Sequence, residues 1–475
     1  MGLETHQFGP NKRITAHLLT QVGIVSAHSE ATAEQAQQAE AVGKIYADFV
    51  SKATFSLHIA IYDFRLTGAA GTAFVAALNE RAKAGVDVRV AYHHAKKDRT
   101  PEVFAYLGAD PAPPGTDKFV DKLDPAVLRK GIKDTAELEV PVQDEPIDPG
   151  SHLMHSKYII RDGNLPSAAV LMGSTNFTND AWSLQDNNIV LFEQAPELAR
   201  YYANDFGELW QSGQISNSGR DDTGTVTIDG MEVSVAFSPG QGRQIDTDIA
   251  SAIGSAQDRL LVASMVISSG AVLGALVDRA HRVAEFGGIF DGPEMRGVMR
   301  DWARAGGGPS AHSAHPHTAD SAHAAQGQHP AAPHRITQHV THGAAPVHAA
   351  HGTRAHVAAH HGNSLAQIRS GASQGKAQLF ASIAPLLHAK GSLTYGANTP
   401  HNFMHNKLSV CDNTVVTGSF NFSTNATRNA ENVVIIKSQD VADVFAAYVR
   451  ELMQLYPHMG LPQDVAPAHA EAGAG

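Results

Sequence analysis

The feature that most constrains this chain is a block of residues that occurs twice. The stretch "LMHSKYIIRDG" followed by "VLMGSTNFT" lies at 153–178, and "FMHNKLSVCDN" followed by "VVTGSFNFS" lies at 403–423. Each block carries a His, a Lys two residues later and an Asp five residues after the Lys, then Gly-Ser and an Asn. A repeat of this length predicts a fold built from two copies of one structural unit.

The residues before each block also repeat. A buried strand, an amphipathic helix and a second strand are predicted in that order at 54–92, and again at 258–291. Short strand–helix–strand units favour parallel pairing. We therefore predict two similar α/β domains related by a pseudo-twofold axis, each a mixed, largely parallel sheet flanked by helices. Between them, Asp229-Gly230 predicts a β-hairpin.

Composition shifts divide the chain further. The predicted parts are an N-terminal segment at 1–40, a first domain at 41–220, a second domain at 221–460 and a flexible tail at 461–475. The second domain contains an insertion at about 306–362, rich in Ala, His, Pro and Gly, with few large apolar residues to offset its ordering entropy. Its role stays open between metal binding, a pH-dependent charge and a low-complexity loop.

Composition also limits the class of protein. A chain of 475 residues, 43% hydrophobic, can bury more than one core. The formal charge of −11 gives no overall attraction to a polyanion, which weighs against a nucleic-acid binder. With neither a secretory signal nor a transmembrane stretch in the sequence, we expect a cytoplasmic monomer with at most peripheral membrane contact.

The pattern of each block predicts a strand that ends in a turn. Side chains two apart on a strand share a face, so His155 and Lys157 point together, as do His405 and Lys407. Asp162 lies at an odd spacing from Lys157, at the turn, and Asp412 repeats this position. We predict turn or ion-pair roles for both carboxylates.

A second apolar strand follows each turn and adds further donors. Ser174 and Asn176 come from the first copy, and Ser419 and Asn421 from the second. An ammonium, an amide, a hydroxyl and an imidazole form a cradle for a phosphate oxyanion. Two facing copies supply two imidazoles, as phosphoryl transfer needs a nucleophile and a proton donor for the leaving oxygen.

The pattern His-x-Lys-x4-Asp followed by Gly-Ser-x-Asn, present twice, resembles the phospholipase D superfamily over roughly 45–215 and 225–460. The resemblance implies an active site between the domains, a covalent phosphohistidine on one motif His and acid/base work by the other, without metal or cofactor. It nominates His155 as the nucleophile and His405 as the acid and then the base. The phosphate-binding side chains carried over are Lys157, Asn176, Lys407 and Asn421, with Ser174 and Ser419 in support.

Two further acids stand at matching distances. Asp186 and Glu431 each lie thirteen residues after the Gly of the Gly-Ser pair. They resemble the family's acids that orient the catalytic histidines through the far ring nitrogen. The alternative is a solvated loop acid. Asp186 departs from the Glu that is more usual in the family.

Several functions fit this resemblance. Single-chain duplication and the acidic charge favour a phosphodiesterase that removes phospholipid head groups. The acidic stretch "ELEVPVQDEPIDPG" at 137–150 would repel a polyanion if it borders the site. The alternative is a nuclease that cleaves DNA or RNA. A phosphatidyltransferase of the cardiolipin synthase type and an inactive binding protein are lesser alternatives.

Overall fold

The computed structural model describes residues 2–26, 31–94, 115–133, 152–220, 222–306, 365–395 and 399–460. The predicted tail, the stretch at 137–150 and nearly all of the His-rich insertion lie outside these residues.

The first half alternates strands and helices. Its elements are β1 (Leu3–Phe8), β2 (Ile14–Leu19), α1 (Ala33–Ser51), β3 (Ser56–Ile61), β4 (Phe64–Arg65), α2 (Gly68–Lys83), β5 (Asp87–His93), α3 (Thr116–Val120), β6 (Leu128–Ile132), β7 (Lys157–Arg161), β8 (Ala169–Gly173), β9 (Phe177–Thr178), α4 (Asn179–Ser183), β10 (Asn187–Phe192) and α5 (Pro196–Ser212).

The second half follows the same plan. Its elements are β11 (Gly224–Ile228), β12 (Met231–Ser238), α6 (Gly242–Ser255), β13 (Arg259–Ser264), α7 (Gly270–Arg279), β14 (Glu285–Asp291), α8 (Gly292–Gly306), α9 (Leu365–Ile383), β15 (His388–Lys390), β16 (Lys407–Cys411), β17 (Thr414–Gly418), β18 (Glu431–Lys437) and α10 (Gln439–Leu455).

Two large sheets share one strand order. The first runs β1-β2-β10-β8-β7-β3-β5-β6, and the second runs β11-β12-β18-β17-β16-β13-β14-β15. Strand by strand these orders correspond, and helices flank both sheets. The prediction of two similar mixed α/β domains is therefore confirmed, and every strand of one large sheet has a counterpart in the other, while β4 and β9 form a separate two-stranded sheet in the first half.

The pairing within each sheet differs from the prediction of largely parallel strands. Only β3–β5–β6 and β13–β14–β15 are parallel, while the other neighbouring pairs in both sheets are antiparallel. The predicted strand–helix–strand units account for one side of each sheet. On the other side, short turns join β1 to β2 and β7 to β8, and likewise β11 to β12 and β16 to β17, and a short turn permits only antiparallel pairing. The remaining antiparallel neighbours, such as β2 and β10, are distant in sequence.

The N-terminal residues belong to the first sheet. The N-terminal segment predicted at 1–40 contains β1 and β2, which complete the first sheet through pairing of β2 with β10. The hairpin predicted at Asp229-Gly230 joins β11 and β12, with φ of 50° and 82°. The carboxylate of Asp229 accepts the backbone N–H groups of Asn11 and Arg13, so this turn also contacts the N-terminal hairpin.

One hydrophobic core is shared by the two sheets. It contains side chains from both halves, among them Tyr158, Tyr202 and Phe237. The ring of Tyr202 lies 5.0 Å from that of Tyr158 in the first half and 4.9 Å from that of Phe237 in the second. Because the halves bury apolar surface against each other, the strand ends that face across the interface are held close together.

The Asp of each block occupies a tight turn. Asp162 and Asp412 have φ of 53° and 52°, a region that Asp tolerates better than most residues. The Asp162 carboxylate accepts the backbone N–H groups of residues 54–56. The Asp412 carboxylate does the same for residues 257–259. Each acid thus joins its strand to the start of the neighbouring strand.

We expect Asp162→Ala to lower the free energy of unfolding by about 2–4 kcal/mol, because it removes a charged acceptor of three N–H groups and leaves Ala at positive φ. Denaturant unfolding measures this loss. Asp162→Asn keeps an acceptor and tolerates the turn, so its loss should be smaller. Equal stability of Asp162→Ala and wild type would contradict the role in the turn.

The same carboxylate should make stability depend on acid pH. Burial by itself would raise the pKa of Asp162, but the backbone N–H groups of residues 54–56 outweigh it and lower the pKa below 3.8. A lowered pKa stabilises the fold above pH 3.8, and the contribution disappears as the pH falls through the folded-state pKa. Asp162→Asn should remove this part of the acid sensitivity.

Candidate active site

The two motif histidines lie just before matching strands. Lys157 is the first residue of β7 and Lys407 is the first residue of β16, and His155 and His405 each lie two residues earlier. Each lysine ammonium donates to the carbonyl oxygen of its own motif histidine at 2.7 Å. Both pairs are buried, so each half presents the same imidazole and ammonium at the same strand end.

His155 is oriented by a carboxylate from the opposite half. Its Nδ1–H donates to the carboxylate of Glu431 at 2.8 Å, and both side chains are fully buried. Asn429 donates a second hydrogen bond to that carboxylate, at 3.1 Å. With Nδ1 committed to Glu431, the neutral ring carries its lone pair on Nε2.

His405 is oriented by an amide from the opposite half. Its Nδ1–H donates to the side-chain oxygen of Asn187 at 3.0 Å. The strand register explains why Asn187, and not Asp186, fills this position. Ile189 pairs with Gly173, and Val433 pairs with Gly418, so Asn187 is the counterpart of Glu431.

Asp186 therefore has a different environment from the one the sequence predicts. Its carboxylate accepts from the ammonium of Lys390 at 2.7 Å and from the backbone N–H of Gln21 at 2.8 Å. The prediction counted thirteen residues from each glycine, but the first copy has one residue more between the glycine and the orienting position. Aligning Asn188 of "DNN" at 186–188 with Asn432 of "ENV" at 431–433 would have matched Asn187, and not Asp186, with Glu431.

Backbone hydrogen bonds cross between the halves at both histidines. The N–H of His155 donates to the carbonyl of Ala430 at 2.8 Å, and the N–H of His405 donates to the carbonyl of Asp186 at 3.0 Å. The two crossings are reciprocal, since each half supports the histidine of the other. They place both motif strands at one interface, as an active site between two domains requires.

The Gly-Ser-x-Asn segments lie beside these strands. A Cβ added at Gly173 or Gly418 would come within 2.2 Å of a carbonyl oxygen of the adjacent strand, so only glycine fits. The Ser174 hydroxyl donates to Asn187 at 2.7 Å and accepts the N–H of Asn188 at 3.0 Å. This hydroxyl thus holds the amide that orients His405.

Ser419 makes the same contact with a backbone N–H as Ser174 does. The two motif asparagines differ from the serines, because their side-chain oxygens have no such bond within the ranges that the structure describes. The Ser419 hydroxyl accepts the N–H of Asn432 at 2.9 Å. In Asn176 and Asn421 the side-chain oxygen is buried with no hydrogen-bond partner among the described residues. A buried amide whose oxygen has no hydrogen bond to the described residues is suited to binding a ligand.

Two further residues lie near His155: Tyr62, which was not predicted from the sequence, and His93, for which the strand-end position left a place at the mouth of the cleft or on the surface open. The ring of Tyr62 lies 5.1 Å from the His155 ring and 5.5 Å from the Lys157 ammonium. His93 accepts the backbone N–H of Met154 at 3.3 Å. Both follow the carboxyl ends of neighbouring parallel strands, and that position is the signal that could have identified them.

One group of acids in the described ranges is close enough to hold a metal ion: Asp205, Glu208 and Asp222. It contains no motif residue. Tyr158 donates to Asp205 at 2.7 Å, and burial raises the pKa of Asp205 to about 7. These contacts give Asp205 a role in the shared core.

Paired α/β halves with crossed His-x-Lys strands define a duplicated fold of the phospholipase D type. The family model described as "Cardiolipin synthase, PLD-like domain" matches residues 46–210 and 249–453. The chain belongs to this family, within the phospholipase D superfamily. No curated protein sequence matches it. In the described part of the chain, no helix has the length and apolar character needed to cross a membrane.

Similar solved structures include one that matches nearly the whole chain. Phosphatidylserine synthase from Haemophilus influenzae Rd KW20 matches 97% of this chain and 89% of its own, with a TM-score of 0.51 and 11% identity. NucT from Helicobacter pylori matches 38% of this chain and 91% of its own, with a TM-score of 0.27 and 18% identity. Nuc from Salmonella typhimurium, a phospholipase D family member, matches 46% of this chain and 93% of its own, with a TM-score of 0.24 and 18% identity.

Proposed function

We propose that this protein is a phosphodiesterase that cleaves its substrate through a covalent phosphohistidine on His155. The observation that carries the proposal is the crossed pair of hydrogen bonds, His155 to Glu431 and His405 to Asn187. These bonds fix two imidazoles at one interface through Nδ1, so Nε2 is the ring nitrogen that we assign to the chemistry. Two histidines held in this way can act on opposite sides of one phosphorus atom.

In the first step, Nε2 of His155 attacks the phosphorus and a P–N bond forms. The bond from phosphorus to the leaving oxygen breaks, and that oxygen takes the proton from Nε2 of the His405 imidazolium. In the second step water attacks the phosphorus, gives a proton to His405, and the P–N bond breaks. Charge and protons balance over the cycle, and no step needs a metal or a cofactor.

The unequal partners of the two rings support this assignment. Phosphorylation at Nε2 leaves a positive charge on the nucleophilic ring, and the Glu431 carboxylate is placed to stabilise it. The ring that acts as acid must release its proton in the first step. Asn187 accepts the Nδ1–H of His405 without adding a negative charge, so it fixes the ring without holding the proton as a carboxylate would.

The remaining motif side chains fit the binding of the phosphoryl oxygens. Lys157 and Lys407 supply two buried ammonium groups, and Asn176 and Asn421 supply two amides. Cations and amide donors stabilise the charge that develops on the oxygens of a transferring phosphoryl group. Ser174 and Ser419 contact the neighbouring strands, so we assign them to support of the site.

We favour a phospholipid as the substrate. The net charge of −11 disfavours a polyanion. The family description and the fold match both name a phospholipid synthase. These names also favour a second candidate, transfer of the phosphatidyl group to an alcohol. Both reactions share the first step and differ in whether water or an alcohol attacks phosphohistidine. A nuclease remains the alternative for the substrate class.

We expect release of choline or ethanolamine from phosphatidylcholine or phosphatidylethanolamine in mixed micelles, and at most weak, salt-sensitive cleavage of single-stranded DNA. Both substrates should be assayed at physiological salt with wild type and His155→Ala. Mass spectrometry of the lipid product, with and without excess glycerol, separates hydrolysis from transfer.

His281→Ala serves as the control in these assays, because His281 is exposed and lies outside the motif strands. It should behave as wild type. Efficient His155-dependent cleavage of DNA, with no head group released from either lipid, would reject the lipid substrate and establish the nuclease. Head-group release that survives His155→Ala would reject the proposed nucleophile.

A further inference from the structure

Three charged side chains lie buried together next to the second motif: Asp186, Asp291 and Lys390. We call them the buried charge cluster, and each is at most 1% exposed. The Lys390 ammonium donates to Asp186 at 2.7 Å, and Lys390 pairs in register with Asp291 across β15 and β14. Burying charges lowers the stability of a fold unless the charges are paired. A cluster of two acids and one base is therefore expected to have a role that offsets this loss of stability.

The cluster holds the backbone that leads to His405. In the segment 403–405, the carbonyl of Phe403 accepts from the backbone N–H of Asp186 at 3.1 Å and from the Lys390 ammonium at 3.3 Å. The backbone N–H of Met404 donates to the Asp291 carboxylate at 2.9 Å. The backbone N–H of His405 donates to the carbonyl of Asp186. Three successive residues are thus fixed by the cluster.

The first half has neutral residues in the equivalent places. The strand registers match Asp186 with Ala430, Asp291 with His93, and Lys390 with Ile132. Here His93 accepts the equivalent N–H, that of Met154. The backbone path is the same, but an imidazole takes the place of the Asp291 carboxylate as the acceptor. Within the described residues, this triad of Asp186, Asp291 and Lys390 therefore belongs to the His405 side of the site.

We infer that Asp186, Asp291 and Lys390 are positioning residues for His405 and determine how well this imidazole moves protons. The inference rests on the proposed function, in which His405 is the acid and then the base. The Nδ1–H of His155 donates to a carboxylate, whereas that of His405 donates to the uncharged Asn187 amide. A rigid, charged backbone support supplies the fixed placement that proton transfer requires.

The charges of the cluster depend on one another. Burial raises the pKa of Asp291, and the nearby Lys390 opposes that rise. Burial likewise lowers the pKa of Lys390, and Asp186 and Asp291 oppose that fall. Loss of one partner leaves an uncompensated buried charge, so the three side chains act as a unit.

Bis(p-nitrophenyl) phosphate separates the two steps of the reaction. Nitrophenolate leaves without a proton, so the first step can proceed without His405, whereas attack by water needs His405 as the base. With enzyme in excess, nitrophenolate release measures the first step. With substrate in excess, kcat measures the cycle that includes the second step.

For Lys390→Met we expect the single-turnover rate constant to stay within about threefold of wild type, while kcat falls by about 10- to 100-fold, as is usual for loss of a residue that supports an active-site group. Phosphoenzyme should accumulate. Lys390→Met leaves two buried acids without their cation. We would therefore also measure the double variant Asp186→Asn/Lys390→Met, which removes one negative and one positive charge together. It should unfold at a higher temperature than Lys390→Met and keep the selective loss of kcat.

Glu193→Gln is the matched control. It removes an ion pair between Glu193 and Arg161 at the opposite end of β10, and both rate constants should remain those of wild type. Equal losses in both rate constants for the Lys390 variants, or no loss in either, would overturn the inference while leaving the proposed function intact. A wild type that forms no phosphoenzyme would instead reject the proposed function.

Discussion

Replacing either motif histidine by alanine should lower kcat for bis(p-nitrophenyl) phosphate by about 10⁴-fold or more, the loss usual when a nucleophile or its acid/base partner is removed. Neither ring can substitute for the other, because His155 is bound to Glu431 and His405 to Asn187 on separate strands. Steady-state release of nitrophenolate measures the loss.

The two variants should fail at different steps. His155→Ala lacks the nucleophile and should release no nitrophenolate, even in a single turnover. His405→Ala can still expel nitrophenolate, so it should release about one equivalent per active site and retain the phosphoryl group. Rapid acid-free quenching and peptide mass spectrometry should place that group on His155.

Exposed His281 provides the control, and His281→Ala should leave both rates unchanged. Substantial steady-state activity in either motif variant would contradict the two-histidine mechanism. Phosphate found on His405 in the His155→Ala variant would reverse the assignment of nucleophile and acid. EDTA should change none of these rates, and loss of activity that zinc restores would contradict metal-free chemistry.

Glu431→Gln should give the next largest loss, with kcat lowered by about 10²- to 10³-fold. Gln keeps the size of Glu431 and a hydrogen-bond acceptor, but it removes the negative charge that faces the phosphorylated ring of His155. The single-turnover rate should fall together with kcat, because the first step places the positive charge on that ring. Less phosphoenzyme should therefore accumulate than in wild type.

This pattern is opposite to the one expected for the Lys390 variants, in which only kcat falls. Glu232→Gln is a suitable control, because Glu232 is exposed and pairs with Lys437 at the far end of β18. A Glu431→Gln enzyme with wild-type kcat and normal accumulation of phosphoenzyme would show that the carboxylate contributes nothing to catalysis.

The duplication and the local elements of this fold could be predicted from the sequence. Periodicity of two identifies β7 and β16, which begin at the Lys of each motif. The Asp-Gly signal identifies the β11–β12 hairpin. These features depend on neighbours within a few residues of one another, which sequence spacing describes directly.

The partners of the site could not be predicted in this way. Counting along the chain selected Asp186, although strand pairing places Asn187 against His405. Lys390 gave no signal, since 204 residues separate it from Asp186. The same limit applies to the sheets, in which the parallel units were visible but not the number of antiparallel partners.

The sequence by itself determined the two motif strands, their turns and the residue types that the candidate site contains. Only the tertiary structure decided which carboxylate or amide contacts which histidine, and which histidine rests on buried charge. The physical reason is that hydrogen-bond partners across the interface are set by strand register and by the packing of one half against the other. A shift of one residue in register changes the partner, while the local pattern of the sequence stays the same.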